Sequence, residues 1–244
     1  MENAGYVALS NAMATRRALD VTANNIANSD TPGFRAAKAV FEAHLAPSTE
    51  RDGASVSFVR DGGVTLDPTP GGVTRTGGML DLAIDGDGWF AMRRQDGTVG
   101  FTRNGTLLRD AEGVVRAPSG AALLDAGGAP LVLPQAADLS VGRDGTVSDA
   151  RGAAIGRVGV FAVETPEALS RGPDGLLLDA RAAEALRPAK GGVIQGAIES
   201  SNVNPITEMT RMIEAHRAHD RAVTVMEKDG TMTEQVLRKV GGPR

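Results

Sequence analysis

An α+β fold, with paired terminal helices around an inserted antiparallel β domain, is what this 244-residue sequence predicts. Two observations carry the prediction. Apolar residues recur at alternating three- and four-residue steps near both ends, which is helical heptad spacing. Between them, Asp-Gly or Asn-Gly dipeptides fall at 85–86, 87–88, 96–97, 104–105 and 144–145, and such pairs favour the positive-φ turns of hairpins. Composition agrees: with aromatics at 3% and 31 glycines, the 41% hydrophobic fraction is mostly Ala, Val and Leu. That suits Ala-rich helices and turn-rich β structure better than one large aromatic core.

Residues 1–34 read as the first helix. Leu9, Ala12, Leu19, Ala23 and Ile26 follow the heptad step if Arg16 fills one slot, with Met13 beside the seam. Pro32 and Gly33 stop the helix, because proline lacks the N–H that would continue it and glycine turns readily. Residues 35–79 read as an extended or irregular connector, because Pro47, Pro68, Pro70 and the glycine pairs at 62–63, 71–72 and 77–78 interrupt any regular element.

Residues 80–200 read as the β domain. Trp89 to Arg94, then Asp96-Gly97, then Val99 to Arg103 form one hairpin pattern. Similar patterns flank Glu112-Gly113 and Asp144-Gly145, and a further strand runs through Val158–Val163.

Residues 201–244 read as the second helix. Asn204 is a good N-cap, and Pro205 sits at the first helical position, where a missing N–H costs nothing. Met209, Met212, His216, His219, Val223, Met226, Gly230, Thr233, Leu237 and Val240 keep the heptad step, while Glu214, Arg221, Lys228 and Gln235 form a polar face. Two helices so far apart in sequence pair only if the chain doubles back. Both seams are interrupted, and helices without a complete apolar partner surface are marginal in water. They are expected to finish their packing against other copies or other chains.

Chemistry is hard to find. The chain has no cysteine, which excludes disulfides, thiolate metal sites and cysteine nucleophiles. Of the three histidines, His216 and His219 stand at metal-ligand spacing on a helix, but no third ligand joins them and seam positions account for both. Asp85-Gly86-Asp87-Gly88 starts like a calcium loop, yet Trp89 stands where an oxygen ligand is required and Phe90 where glycine is required. Phosphate-loop and nucleophile-elbow motifs are missing. No catalytic, cofactor or metal site is expected, and no small-molecule substrate. The net charge of −4 with interspersed signs argues against nucleic-acid partners. The N-terminus lacks a secretory pattern and no run is long enough to span a bilayer. A chain that stays in the cytoplasm or leaves without a cleaved signal, with no direct membrane insertion, is expected.

The string Ala23-Asn24-Asn25-Ile26-Ala27-Asn28-Ser29-Asp30-Thr31-Pro32-Gly33-Phe34-Arg35 closely resembles the N-terminal signature of bacterial flagellar rod and hook proteins. Asp87-Gly88-Trp89-Phe90 with Phe101-Thr102-Arg103-Asn104-Gly105 resembles a second block of that family, and Gly196 to Pro205 with Glu208-Met209 and Met212-Ile213 resembles a third. The connector and residues 164–195 carry no family signal. The resemblance implies a structural subunit of the basal-body rod, in its proximal part on length, exported unfolded through the flagellar type III apparatus. Its implied partners are other rod subunits and further copies of itself, in a torque-transmitting shaft that crosses the periplasm. A distal-rod or hook-type axial protein is the alternative, followed by a secreted coiled-coil binding module. Asn24, Asn25 and Asn28 are unfavourable within a helix unless their amides find partners, so hydrogen bonds across a subunit contact are expected of them.

Overall fold

The computed structural model describes residues 2–47, 55–135, 138–179 and 186–240. The chain divides into two compact units. One comprises Met1–Ala27, Ala37–Thr65 and Asn204–Arg244, and the other Asn28–Ala36 and Leu66–Val203.

The first unit holds both long helices, α1 (Glu2–Ala27) and α2 (Pro205–Val240). They run antiparallel, since Gly5 lies by Asp229, Thr15 by His219 and Asn25 by Glu208. α1 ends ahead of Pro32: the Thr31 N–H bonds the Asn28 carbonyl at 3.2 Å, so Asn28-Ser29-Asp30 already turns the chain. α2 begins on the expected cap, where Asn204 Oδ1 accepts from the N–H groups of Ile206 and Thr207 at 3.0 and 3.1 Å.

The irregular connector expected over 35–79 is corrected by the longest strands among the described residues. β1 (Ala37–Pro47) and β2 (Ser55–Leu66) pair with each other as a two-stranded sheet. Gly62 and Gly63 lie inside β2, where Gly63 takes φ 96° and a Cβ on Gly62 would meet the Val40 carbonyl at 3.1 Å. A strand absorbs such a pair as an irregularity of the ladder instead of ending at it. Residues 48–54, between the two strands, lie outside the described residues.

The second unit is built from short antiparallel strands, as expected. β3 (Val73–Arg75) and β4 (Leu82–Asp85) are followed by the hairpin of β5 (Trp89–Arg93) and β6 (Val99–Thr102). That hairpin pairs Phe90 with Thr102 and Arg93 with Val99 around Asp96-Gly97, with Gly97 at φ 85°. Next come β7 (Leu108–Arg109), β8 (Val115–Arg116) and β9 (Ala122–Leu123), which join the same sheet. A separate three-stranded sheet turns at Asp144-Gly145. Near the end, β17 (Gly192–Gln195) returns to pair with β4 and β18 (Ala197–Glu199) to pair with β3; among the described residues seven more short strands and a helical turn lie between β9 and them. Phe90, Met92, Leu123, Val115, Val147 and Val158 lie at the centre of the core, almost or wholly without exposure.

Candidate assembly interface

α1 and α2 meet through small residues. Ala8, Ala12 and Thr22 of α1 are buried, as are Glu208 and Ala222 of α2. A Cβ on Gly5 would stand 2.8 Å from Asp229 Oδ2, so the helices approach closely there. His219 Nδ1 reaches the Ala12 carbonyl at 3.2 Å and Thr15 Oγ1 at 3.3 Å. A carbonyl only accepts, so Nδ1 carries the proton.

The buried seam differs from the one expected from the sequence by a one-residue rotation at four of the described positions. Ala12 is buried, and Leu19, Ile26, Met212, His219, Val223 and Met226 are half-buried. Leu9, Ala23, Met209 and His216 are exposed, and the positions that turn inward instead are Ala8, Thr15 and Thr22 on α1 and Glu208, Ala215 and Ala222 on α2. The reason is size. Alanine and threonine let the helix backbones draw together, and a Leu or Met at those places would hold them apart. His216 turns away and bonds Asp220 at 3.1 Å. The side chains of Leu237 and Val240 lie outside the described residues.

Asn25 is the most heavily engaged residue of the pair. Its Oδ1 accepts from the Ala37 N–H at 2.9 Å, while Nδ2 donates to the Ala37 carbonyl at 2.9 Å and to Glu208 Oε2 at 3.0 Å. Glu208 in turn holds Arg211 at 2.5 Å. One amide thus imitates a strand partner for the backbone of β1 and bonds α2 as well. The buried Asn25 side chain is engaged within the chain. Asn24 is exposed, and Asn28 accepts from the Thr31 hydroxyl at 3.2 Å.

What the helices leave outside is large and apolar. Tyr6, Leu9 and Met13 form one stripe on α1, at 64%, 46% and 67% exposure. Ile206, Met209 and Ile213 form another at the start of α2, at 76%, 52% and 55%. Both run at i, i+3, i+7, and the antiparallel pairing sets them at opposite ends of the helix pair. Small residues inside and large apolar residues outside invert the usual order of a helical hairpin, and such patches mark interaction surfaces.

A second constellation, missed in the sequence, lies in the β unit. Glu199 stands between two arginines, with Oε1 at 2.5 Å from Arg35 Nη1 and Oε2 at 3.1 Å from Arg103 Nη1. Trp89 lies against both guanidiniums, each 5.5 Å from its ring centroid. Glu199 also accepts from the Gly71 N–H at 2.9 Å, and Arg103 Nη2 donates to the Gly86 carbonyl at 2.9 Å. Arg35 touches the carboxylate as a charge, without an aligned N–H donor, and its other nitrogens are buried without acceptors.

Burial pushes the Arg103 pKa down, with Glu199 opposing the shift. Arg171, stacked 4.1 Å from the Phe34 centroid and donating to the Arg35 carbonyl, is pushed down to about 10 by burial. Gly33 takes φ 67°, and a Cβ there would lie 2.2 Å from the Asn104 nitrogen, so only glycine fits. The Gly33 N–H bonds the Glu199 carbonyl at 2.7 Å, and the Asn202 amide accepts from the Ala36 N–H at 2.6 Å. The segment that follows α1 is therefore bound to the segment that precedes α2. Arg35, Arg103 and Glu199 all lie in the three motif blocks, which was the available signal.

Among the described residues no group of acidic or histidine side chains could hold a metal ion, and no helix is long and apolar enough to cross a membrane.

Comparison with known proteins covers both helices and the β unit. Residues 6–35 match the flagella basal body rod protein family, residues 83–149 the flagellar hook protein FlgE/F/G D1 domain, and residues 194–239 the flagellar basal body rod FlgEFG protein C-terminal family. The chain is 35% identical to the flagellar basal-body rod protein FlgF of Caulobacter vibrioides, over 99% of both chains. It is 31% identical to the protein of that name from Escherichia coli, over 93% of both. With the flagellar basal-body rod protein FlgG of Bacillus subtilis it shares 30% identity over 91% of both.

Proposed function

The chain belongs to the flagellar basal-body rod and hook protein family, as a structural component of the rod, and on that premise we propose that it polymerises through the outer faces of α1 and α2. The observation that supports this reading is the pair of exposed apolar stripes, Tyr6-Leu9-Met13 and Ile206-Met209-Ile213. In the rod they bury against other rod subunits and further copies of the chain, in the proximal part of the shaft. The chain reaches that place unfolded, through the flagellar type III export apparatus. Its role is mechanical: a shaft resists torsion when every subunit is fixed at more than one contact, and no catalysis is involved.

The test pairs Leu9→Ser with Met209→Ser in one full-length chain. Both side chains are exposed, so the folded monomer should keep its unfolding midpoint while swimming and recovery of the chain in purified basal bodies fall sharply. Secretion of the variant into the medium separates failed assembly from failed export. Wild-type swimming and wild-type incorporation would overturn the assembly role of these stripes.

A further inference from the structure

A groove of about 730 Å³ runs along the first unit, between α1, α2 and β1. Its lining is mostly small, with Ala14 and Ala18 of α1, Ala37 of β1, and Ala215 and Ala218 of α2. Phe41, Val59 of β2 and the charged Lys38, Glu208 and Arg211 also face it, Glu208 and Arg211 as a pair. Glu214 stands on its rim, exposed, with no hydrogen-bond or ion-pair partner among the described residues. On α1, the face of Tyr6, Leu9 and Met13 continues one turn further to Arg16, which is also exposed and without a partner among the described residues. The same chain thus carries a groove lined largely by small residues, whose Lys38, Glu208 and Arg211 are already engaged and whose Glu214 is not, and a ridge of large apolar side chains that ends in an unpaired base.

Resting on the assembly reading above, we propose that this groove receives the Tyr6–Leu9–Met13 ridge of a second copy of the chain, with Arg16 of that copy set against Glu214. Size and charge both favour the match. Large knobs fill holes floored by small residues, and opposite charges at the edge fix the register and disfavour wrong pairings. Ridge and groove are different surfaces of one molecule, so head-to-tail use leaves a free ridge and a free groove at the two ends of any chain of copies. Contacts of that kind close into rings or grow as helical filaments.

The absence of cysteine makes the test direct. Full-length Met13→Cys and full-length Ala218→Cys, mixed and oxidised, should give a disulfide-linked pair that neither gives alone. A chain carrying both cysteines should give a ladder of covalent oligomers. Arg16→Glu on the ridge copy, or Glu214→Arg on the groove copy, should lower the yield of the mixed pair about three- to fivefold, the scale of one exposed ion pair. Both changes together should restore it.

Failure of the mixed pair to form, a dominant Met13→Cys self-pair, a product that stops at two copies, or charge changes without mutual rescue would each overturn the contact. Motility of a strain lacking the gene is the separate measure of the rod role. If swimming needs the chain while no mixed pair forms, the groove contact fails and the rod reading stands.

Discussion

Arg35 and Glu199 meet at 2.5 Å with each side chain only 1% exposed, which makes theirs the most deeply buried ion pair described in the molecule. Taking two charges out of water costs several kcal/mol each, and the pair is tolerable only because Arg103, the Gly71 N–H and the Trp89 ring add contacts. Glu199→Gln keeps the shape and removes the charge. It should destabilise the β unit by about 3–5 kcal/mol, since two guanidiniums then share a site without a counter-charge. Trp89 is the only tryptophan, so its fluorescence during urea unfolding reports the site directly. A loss below about 1 kcal/mol would mean that the arginines find water or another acid.

The Asn25 amide serves both backbone groups of Ala37, so its removal should act on β1 before it acts on α1. Asn25→Ala should cost about 1–3 kcal/mol, the usual penalty for leaving buried polar groups unpaired. Asn25→Asp should be worse. It keeps an acceptor for the Ala37 N–H but sets a second carboxylate against Glu208. Amide hydrogen exchange at Ala37 is the measurement, and unchanged protection in both variants would refute the clamp.

Opposite faces of α2 should respond differently to the same charge. Met226, two turns beyond the His219 that bonds α1, is half-buried, and Arg221 is exposed. Met226→Asp should cost about 1–3 kcal/mol through an unpaired polar group in a packed contact, and Arg221→Asp well under about 1 kcal/mol. The first variant should be secreted and fail to swim; the second should swim. A swimming Met226→Asp strain would show that this face tolerates charge.

Acid should weaken the turns of the β unit. Asp96, Asp110 and Asp144 are held below the ordinary carboxylate value of 3.8, chiefly by side-chain hydrogen bonds from Thr98, Arg116 and Thr146 respectively. A carboxyl whose folded pKa lies below its unfolded one adds stability above the unfolded value. That stability is lost as pH falls through the unfolded value toward the folded one. Unfolding midpoints should therefore drop below pH 4, and the Asp96→Asn, Asp110→Asn, Asp144→Asn triple variant should show a shallower drop. An unchanged slope in the triple variant would show that the acid sensitivity arises elsewhere.

Local chemistry made the helices and hairpins readable in the sequence: Asn204 and Pro205 start α2, and Asp96-Gly97 turns β5 into β6 whatever lies around them. The motif blocks likewise identified the family. Which face of each helix turns inward was decided only in three dimensions. Met212, His219 and Met226 serve either of two adjacent heptad frames, and the choice of Ala215 and Ala222 over His216 depends on the small residues of α1 opposite. Glu208 is buried because Asn25 meets it, across 183 residues of sequence. β1 and β2 escaped notice for the related reason that Gly62-Gly63 ends a strand when read alone and is absorbed when a partner strand lies alongside. Glu199 looked like one more surface acid until the fold placed Arg35 and Arg103 on either side of it. Turns and caps are short-range and survive any context, whereas seam, ribbon and ion cluster arise from partners that only the folded chain brings together.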